Sequence, residues 1–371
     1  MNGQWLGDYS GSSKGTIIVN IDERESDYQG VVHLLDANNT LPASAAFFTT
    51  PNKESRFSFR TNTILAFDPT SGIIAPWESV KRHFQEDVIF SKYADVSGSW
   101  DDDSLTLSWA TDAGAKGDCV LGRSKASEPS SLVALDQNWG DFQKYVTELI
   151  PKRPLFLGQK GTWRLRTAFH RSGRADLHRY VAEDVPSLYR HLSARLKHVF
   201  NLNDRYETGA FYNLAQHHGY PTPLLDWTYS PYVAAFFAYR GIANNDAAKA
   251  PLDAKVRIFV FDQALWKRDF SQPLQVIGPG PYLSVGELMG IENERMIPQQ
   301  ADSTVTNVDD IETYIKSKES DGKKYLWAIN LPMGDRKQVV RELSYMGITA
   351  GSLFPGLDGA CQELKERNFD I

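Results

Sequence analysis

Hydrophobic and polar residues alternate strictly along several short runs in the first third of the chain. Phe57-Ser58-Phe59 sits between Arg56 and Arg60, and residues 104–109 read Ser, Leu, Thr, Leu, Ser, Trp. A period of two sends successive side chains to opposite faces, so each run predicts a strand with one face in a core and the other in water. Residues 17–21 and 31–35 predict two more strands, separated by the polar stretch 22–30. Residues 96–100, then Asp101-Asp102-Asp103, then the run from Ser104 form a hairpin signal. A helix-like insert falls around residues 77–86. The pattern predicts a small antiparallel β-barrel or sandwich over residues 1–124.

The period changes after residue 131. Residues 125–131 are small and polar with one proline, Pro129, as expected of an exposed linker. Beyond it Phe142, Tyr145, Val146, Leu149 and Ile150 share a helical face, with Asp141 at the favourable N-terminal end. Leu177, Val181, Val185, Leu188, Leu192, Leu196 and Val199 make a long amphipathic stripe that Pro186 should divide or kink. Phe211, Leu214, Ala215 and His218 mark the next helix, stopped by Gly219 and Pro221. Ser230-Pro231 opens another, serine as cap and proline in the first turn. Residues 256–261 and 325–329 predict buried strands, residues 335–346 and 357–367 helices, and the polar stretch 301–324 a surface excursion. The class is α+β: the β domain, the linker 125–131, and a mixed α/β domain over 132–371.

Composition narrows the function classes. The 371 residues carry a net charge of −6, unlike a chain built to grip nucleic-acid backbone, although Arg164 to Arg174 form a local basic patch. The two cysteines, Cys119 and Cys361, lie in different predicted domains and suit neither a disulfide framework nor a zinc site. No run approaches the ~18 apolar residues of a membrane span, and the first residues lack a secretory pattern. These features predict a soluble, cytoplasmic protein without a membrane or metal.

The chemistry concentrates between His217 and Ala238. Gln216-His217-His218 ends a helix, Gly219, Pro221 and Pro223 stiffen a short connection, and Asp226-Trp227-Thr228 precede the capped helix at Ser230. Rigid connections that hold polar side chains between helices are a way to preorganise a site. Adjacent helical residues point about 100° apart, so His217 and His218 cannot converge on one ion. His218 shares the apolar face and reads as a core histidine; His217 lies beside it. Ser230 reads equally as a plain cap, Trp227 as core, and Asp226 as a turn carboxylate.

The block Gln-His-His-Gly-x-Pro-Thr-x-Leu-Leu-Asp-Trp-Thr-x-Ser-Pro resembles the hallmark of the FRG-domain family, named for a Phe-Arg-Gly motif. Leu155-Phe156-Leu157-Gly158-Gln159 with Trp163 resembles its opening, Arg295 with Gln299 a later Arg-Ile-x-x-Gln strand, and Leu353-Phe354-Pro355-Gly356 its end. The landmarks run from about residue 141 to 365. Leu157 stands where the family motif has arginine, and a leucine cannot replace a charged fork; Arg164 or Arg166 would have to serve instead.

The family recurs in bacterial proteins that look like toxins or phage-defence effectors. Its layout is similar to that of ADP-ribosyltransferases, an analogy of fold. The resemblance implies an enzyme that consumes NAD and transfers ADP-ribose to a protein or nucleic-acid target, with the β domain sensing a trigger or partner. Arg166 or Arg295 would clamp the phosphates and Trp227 or Tyr229 would stack on nicotinamide. Thr228 or Ser230 would sit at the corner, His217 or Asp226 would take the ribose, and Gln299 would hold the late-strand position. Glu292 and Glu294 are alternative carboxylates. Leu157 and the missing late-strand carboxylate favour the alternative, a non-catalytic nucleotide- or protein-binding module using the same pocket.

Overall fold

A computed structural model describes residues 1–320 and 322–369, the side chain of residue 150 excepted. The chain forms two sheets. The first contains ten strands: β1 (Gly3–Gly11), β2 (Gly15–Glu23), β3 (Tyr28–Asp36), β4 (Ser44–Thr49), β5 (Arg56–Thr61), β6 (Thr63–Phe67), β7 (Ile74–Ala75), β8 (Ala94–Trp100), β9 (Ser104–Thr111) and β10 (Lys116–Gly122). All pairs are antiparallel, in the order β5-β8-β9-β10-β1-β2-β3-β4-β6-β7. The alternating runs at 17–21, 31–35, 57–59 and 104–109 all fall in these strands. The three aspartates form the β8–β9 turn, where Asp101 accepts from the backbone N–H groups of Asp103 and Ser104 at 2.9 and 2.7 Å. The insert at 77–86 is one short helix, Trp77–Val80, and a 3₁₀ turn.

Neither a closed barrel nor two separate sheets results. The sheet curls until inward side chains of its two halves meet, so that Ile17, Val19 and Phe48 share a core with Phe57, Leu105 and Leu121. The edges are β5 and the two-residue β7, which are not paired with each other; β5 and β6, with only Asn62 between them, lie near opposite ends of the strand order. The chain itself bridges the gap, helped by the Thr61 hydroxyl donating to the Phe47 carbonyl at 2.6 Å.

The second sheet contains β11 (Ala134–Asp136), β12 (Leu155–Gln159), β13 (Leu224–Thr228), β14 (Lys255–Phe261), β15 (Leu283–Val285), β16 (Ala301–Thr306) and β17 (Leu326–Pro332), in the order β11-β17-β14-β12-β13-β16-β15. Helix Pro231–Tyr239 lies across β12. An added Cβ at Gly158 would stand 1.8 Å from the Ala234 carbonyl oxygen, so only glycine permits this approach.

Two expectations are corrected. Residues 301–306 are no surface excursion but the buried strand β16, whose polar side chains are hydrogen-bonded rather than solvated. The long stripe ends early: a π turn at Tyr180–Asp184 leads into helix Val185–Ser193, and Val199 is exposed. Pro186 sits in that helix's first turn, where its missing N–H is harmless. The segment 125–131 is mostly exposed, and its end is hydrogen-bonded to the second unit, with the Ser131 N–H donating to Glu312 at 2.8 Å and the Ser130 N–H to the Thr162 carbonyl at 2.7 Å.

The two units meet through buried polar contacts. Asp22, fully buried, accepts from the Ala175 and Asp176 N–H groups at 2.8 and 3.1 Å and from Arg174. Gln4 donates to the Asn307 carbonyl at 2.6 Å and accepts from the Asp309 N–H at 2.9 Å. His33 and His178 face each other through their Nε2 atoms at 2.8 Å.

Burial pushes the His33 ring down to about 3, with the neighbouring His178 adding to it, and holds His178 and His170 at about 4. The unfolded chain therefore takes up protons below the ordinary histidine value of 6.5 that the folded chain refuses. Asp176 acts the other way, because burial raises its carboxyl to about 6 and folding then favours its protonated form. Each group is worth roughly 1.4 kcal/mol per pH unit while it titrates in one state only, so three histidines less one aspartate leave a loss of about 3 kcal/mol per unit from pH 6 to 5. Urea unfolding at pH 7, 6 and 5 measures this; an acid-independent midpoint would exclude the histidines as its source. His178→Phe should reduce the slope by about one proton.

Candidate functional site

A cleft of about 870 Å³ opens beside β12 and β13 and is walled by the end of helix Arg205–His217, by Arg240, by Arg295 and Gln299, and by Phe354. It is built from local order in the signature block. Helix Arg205–His217 ends with Gly219 in the left-handed conformation at φ +87°. The buried Thr222 hydroxyl donates to the Gln216 side chain, whose amide donates to the Leu224 carbonyl at 3.1 Å. This ties the helix end to the first residue of β13.

β13 then distributes its side chains by strand alternation. Asp226 lines the cleft and accepts from Ser303 Oγ at 3.3 Å. The Trp227 ring is buried on the other side, stacked on Phe261 with centroids 5.4 Å apart and donating to Thr304 Oγ1 at 3.0 Å. Tyr229 donates to Asp302 at 2.8 Å and lies under Arg153, outside the cleft. Tyr229 does not line the cleft, whereas Trp227 is among its lining residues, its ring engaged by Phe261 and Thr304.

Thr228 and Ser230 hold backbone. Thr228 Oγ1 donates to the Gln299 carbonyl at 2.7 Å and accepts from the Ser230 N–H at 3.0 Å. Ser230 Oγ accepts from the Val233 N–H at 3.3 Å and caps helix Pro231–Tyr239. Gln299 is buried at the cleft wall and donates to the Leu353 carbonyl at 2.9 Å; it lies in the turn before β16, not within a strand.

The two histidines separate. His217 lines the cleft, with Nδ1 3.0 Å from the Asn213 carbonyl and 2.6 Å from Asn293 Nδ2, and with Nε2 buried and free of any partner among the described residues. His218 is exposed rather than in the core. It is the C-cap, at φ −94° and ψ 10°, so the helical phase that would have turned it inward has already ended.

Charge dominates the walls. Lys160, Arg164, Arg166, Arg171, Arg240 and Arg295 line the cleft against one carboxylate, Asp226, among the described residues. Arg164 is engaged by Asp310 at 3.0 Å and Arg166 by Asp309, so the two candidates to replace the arginine at position 157 are already paired. Glu292 accepts from the His198 N–H, and neither it nor Glu294 lines the cleft. Arg240 and Arg295 both stack on Phe354, with guanidinium carbons 4.0 and 5.3 Å from the ring centroid. Loss of water lowers the Arg240 pKa and the Arg295 charge lowers it further, against Glu366. Arg171 is lowered likewise, with Asp226 opposing and Arg166 contributing. Sequence reading missed Arg171, Arg240 and Phe354 as a set because they come from three separate segments; the basic stretch 164–174 and the aromatic near the C-terminus were their visible traces.

The family model described as FRG domain matches residues 152–247, and the chain carries an FRG domain. This match covers the strand β12, the signature block and helix Pro231–Tyr239, a shorter span than the landmarks from 141 to 365. Searches of curated proteins and of solved structures gave no match. Among the described residues no group of three or more His, Cys, Asp or Glu is placed to hold a metal ion, and no helix is long and apolar enough to cross a membrane.

The geometry ranks two substitutions. Ser230→Ala should cost about 1 kcal/mol, the usual worth of a cap. Gly158→Ala should cost more, about 3 kcal/mol, because the obstacle is helix backbone that cannot step aside. Denaturant midpoints of the two variants test the order, and equal losses would refute the close-approach argument.

Proposed function

We propose that the cleft binds NAD and transfers its ADP-ribose to an acceptor. The observation that carries this reading is the arginine pair across Phe354: two guanidiniums lean on one ring with no carboxylate lining the cleft beside them. Like charges brought this close are stabilised by an anion, and guanidiniums match phosphate oxygens in pairs. The cleft's size is that of a pocket for a ligand as large as a dinucleotide. The arginine pair takes the pyrophosphate, while Phe354 and the half-exposed Trp163 offer ring faces in place of Trp227 and Tyr229.

At the other end, Asp226 is the negative charge available to a ribose that becomes oxocarbenium-like. The bond from the ribose anomeric carbon to the nicotinamide nitrogen breaks, its electron pair neutralising the nicotinamide. A lone pair of the acceptor forms the new bond to that carbon. The acceptor's proton passes to solvent water, and His217, whose Nδ1 accepts from the Asn293 amide, borders the reacting end of the cleft. Gln299, Thr228 and Ser230 hold the walls in place. In this reading the chain is an effector of the toxin or phage-defence type, its target is a protein or nucleic acid, and the first sheet receives the trigger.

The test is incubation of the full chain with adenylate-labelled NAD and a cell extract, following nicotinamide release and label on macromolecules. Asp226→Asn should lower release about a hundredfold with NAD affinity changed only a few-fold. Arg240→Ala and Arg295→Ala should each weaken binding by about tenfold or more, most at low salt. Binding without release in any extract would leave a nucleotide-binding module instead, and absence of binding would remove both readings.

A further inference from the structure

The first sheet holds a pocket of its own, partly open to solvent. About 230 Å³ lies between the two halves of the curled sheet, walled by Ile17, Val32, Leu34, Val96, Leu107 and Trp109. A smaller void of about 30 Å³ lies deeper in the same core. Both touch Val32, Ala46, Thr61, Val96 and Leu107, so the two are successive compartments of one interior. Protein cores are close-packed and leave few gaps larger than a water molecule. A gap of this size forfeits dispersion contacts along its whole wall, and its apolar lining offers water few partners.

One end is polar. Tyr9 donates its hydroxyl to Asp36 at 2.9 Å and lies 3.4 Å from Ser13 Oγ, and all three side chains border the cavity. The mouth is covered by an irregular segment rather than by strands. Residues 88–91 line the cavity, Phe90 stacks on Trp77 at 4.9 Å, and Phe84 packs on the same indole at 5.4 Å. Ile89 beside them is 78% exposed. Residues 88–91 belong to no strand, so this side of the pocket can shift without breaking a backbone ladder.

We propose that this interior is a binding site for a small neutral molecule with an apolar body and one hydrogen-bond donor. The donor would sit against the Asp36 carboxylate and the Tyr9 oxygen, with the body along Val32, Val96 and Leu107. An apolar cavity of about 150 Å³ holds a benzene molecule, so this one holds about ten non-hydrogen atoms. A carboxylate head is disfavoured, because Asp36 already supplies the negative charge at the polar end. The site is separate from the FRG cleft and does not depend on the activity proposed for it.

Calorimetric titration of the full chain with 1-octanol and with octanoate tests the site. One equivalent of 1-octanol should bind with a negative heat-capacity change, and octanoate at least tenfold more weakly. Ala46→Phe, which fills the junction of the compartments, should weaken octanol at least tenfold, and Tyr9→Phe about threefold. Leu34→Trp, which narrows the wall nearer the mouth, should act like Ala46→Phe and serves if that variant does not fold. No heat up to the solubility of octanol would overturn the proposal. So would equal binding by folded filled variants, or octanoate binding as tightly as octanol.

Discussion

The pairing of β13 with β16 is the constraint on which the rest of the second unit depends. In register, Asp226 stands opposite Ser303 and Trp227 opposite Asp302. Their side chains meet as well: Ser303 reaches Asp226, Thr304 accepts from Trp227, and Asp302 accepts from Tyr229. Buried polar groups are costly unless satisfied. This interlock satisfies them, and it sets which face of β13 meets the cleft. Thr228 extends it into the turn carrying Gln299, and the turn in turn carries Arg295 to the carbonyl of His217. The signature block is therefore held from outside itself, by residues beyond the segment that the family model matches.

That dependence explains what was legible in the sequence. The strands of the first sheet declare themselves because their inner faces are apolar and their outer faces wet. β16 does not, since Asp302, Ser303, Thr304 and Thr306 are polar residues buried by hydrogen bonding, and a hydrophobic pattern cannot report a partner in another segment. Of the two rings expected to stack, Trp227 borders the cleft while already packed on Phe261, and Tyr229 lies outside it. His218 failed differently, because helical phase was carried one residue past the point where the helix stops. The arginines around Phe354 were legible only as scattered charges, since no local spacing brings positions 171, 240 and 295 together.

The first sheet is joined to this arrangement by more than proximity. Asp309 accepts from Arg166, which borders the cleft, and from Ser124, at the end of the first unit, while its own N–H donates to Gln4 of β1. β3 serves both sides of the boundary. His33 points to the second unit, whereas Val32 and Leu34 line the inner cavity. A strand whose alternate residues face a cavity and a domain interface transmits any change in its tilt to both.

The ring pair at that boundary carries a subtler consequence. A hydrogen bond between two Nε2 atoms needs one ring to bear the proton and the other to present a lone pair. With both imidazoles neutral, the ring that gives must be bare at Nδ1 and the ring that receives must be protonated there. His33 and His178 therefore hold complementary tautomers, and neither unit can choose its own. A new acceptor at the bare Nδ1 of the giving ring would move a proton there and reverse the arrangement at the other ring, so that the state of one unit is written into its neighbour by the movement of hydrogens alone.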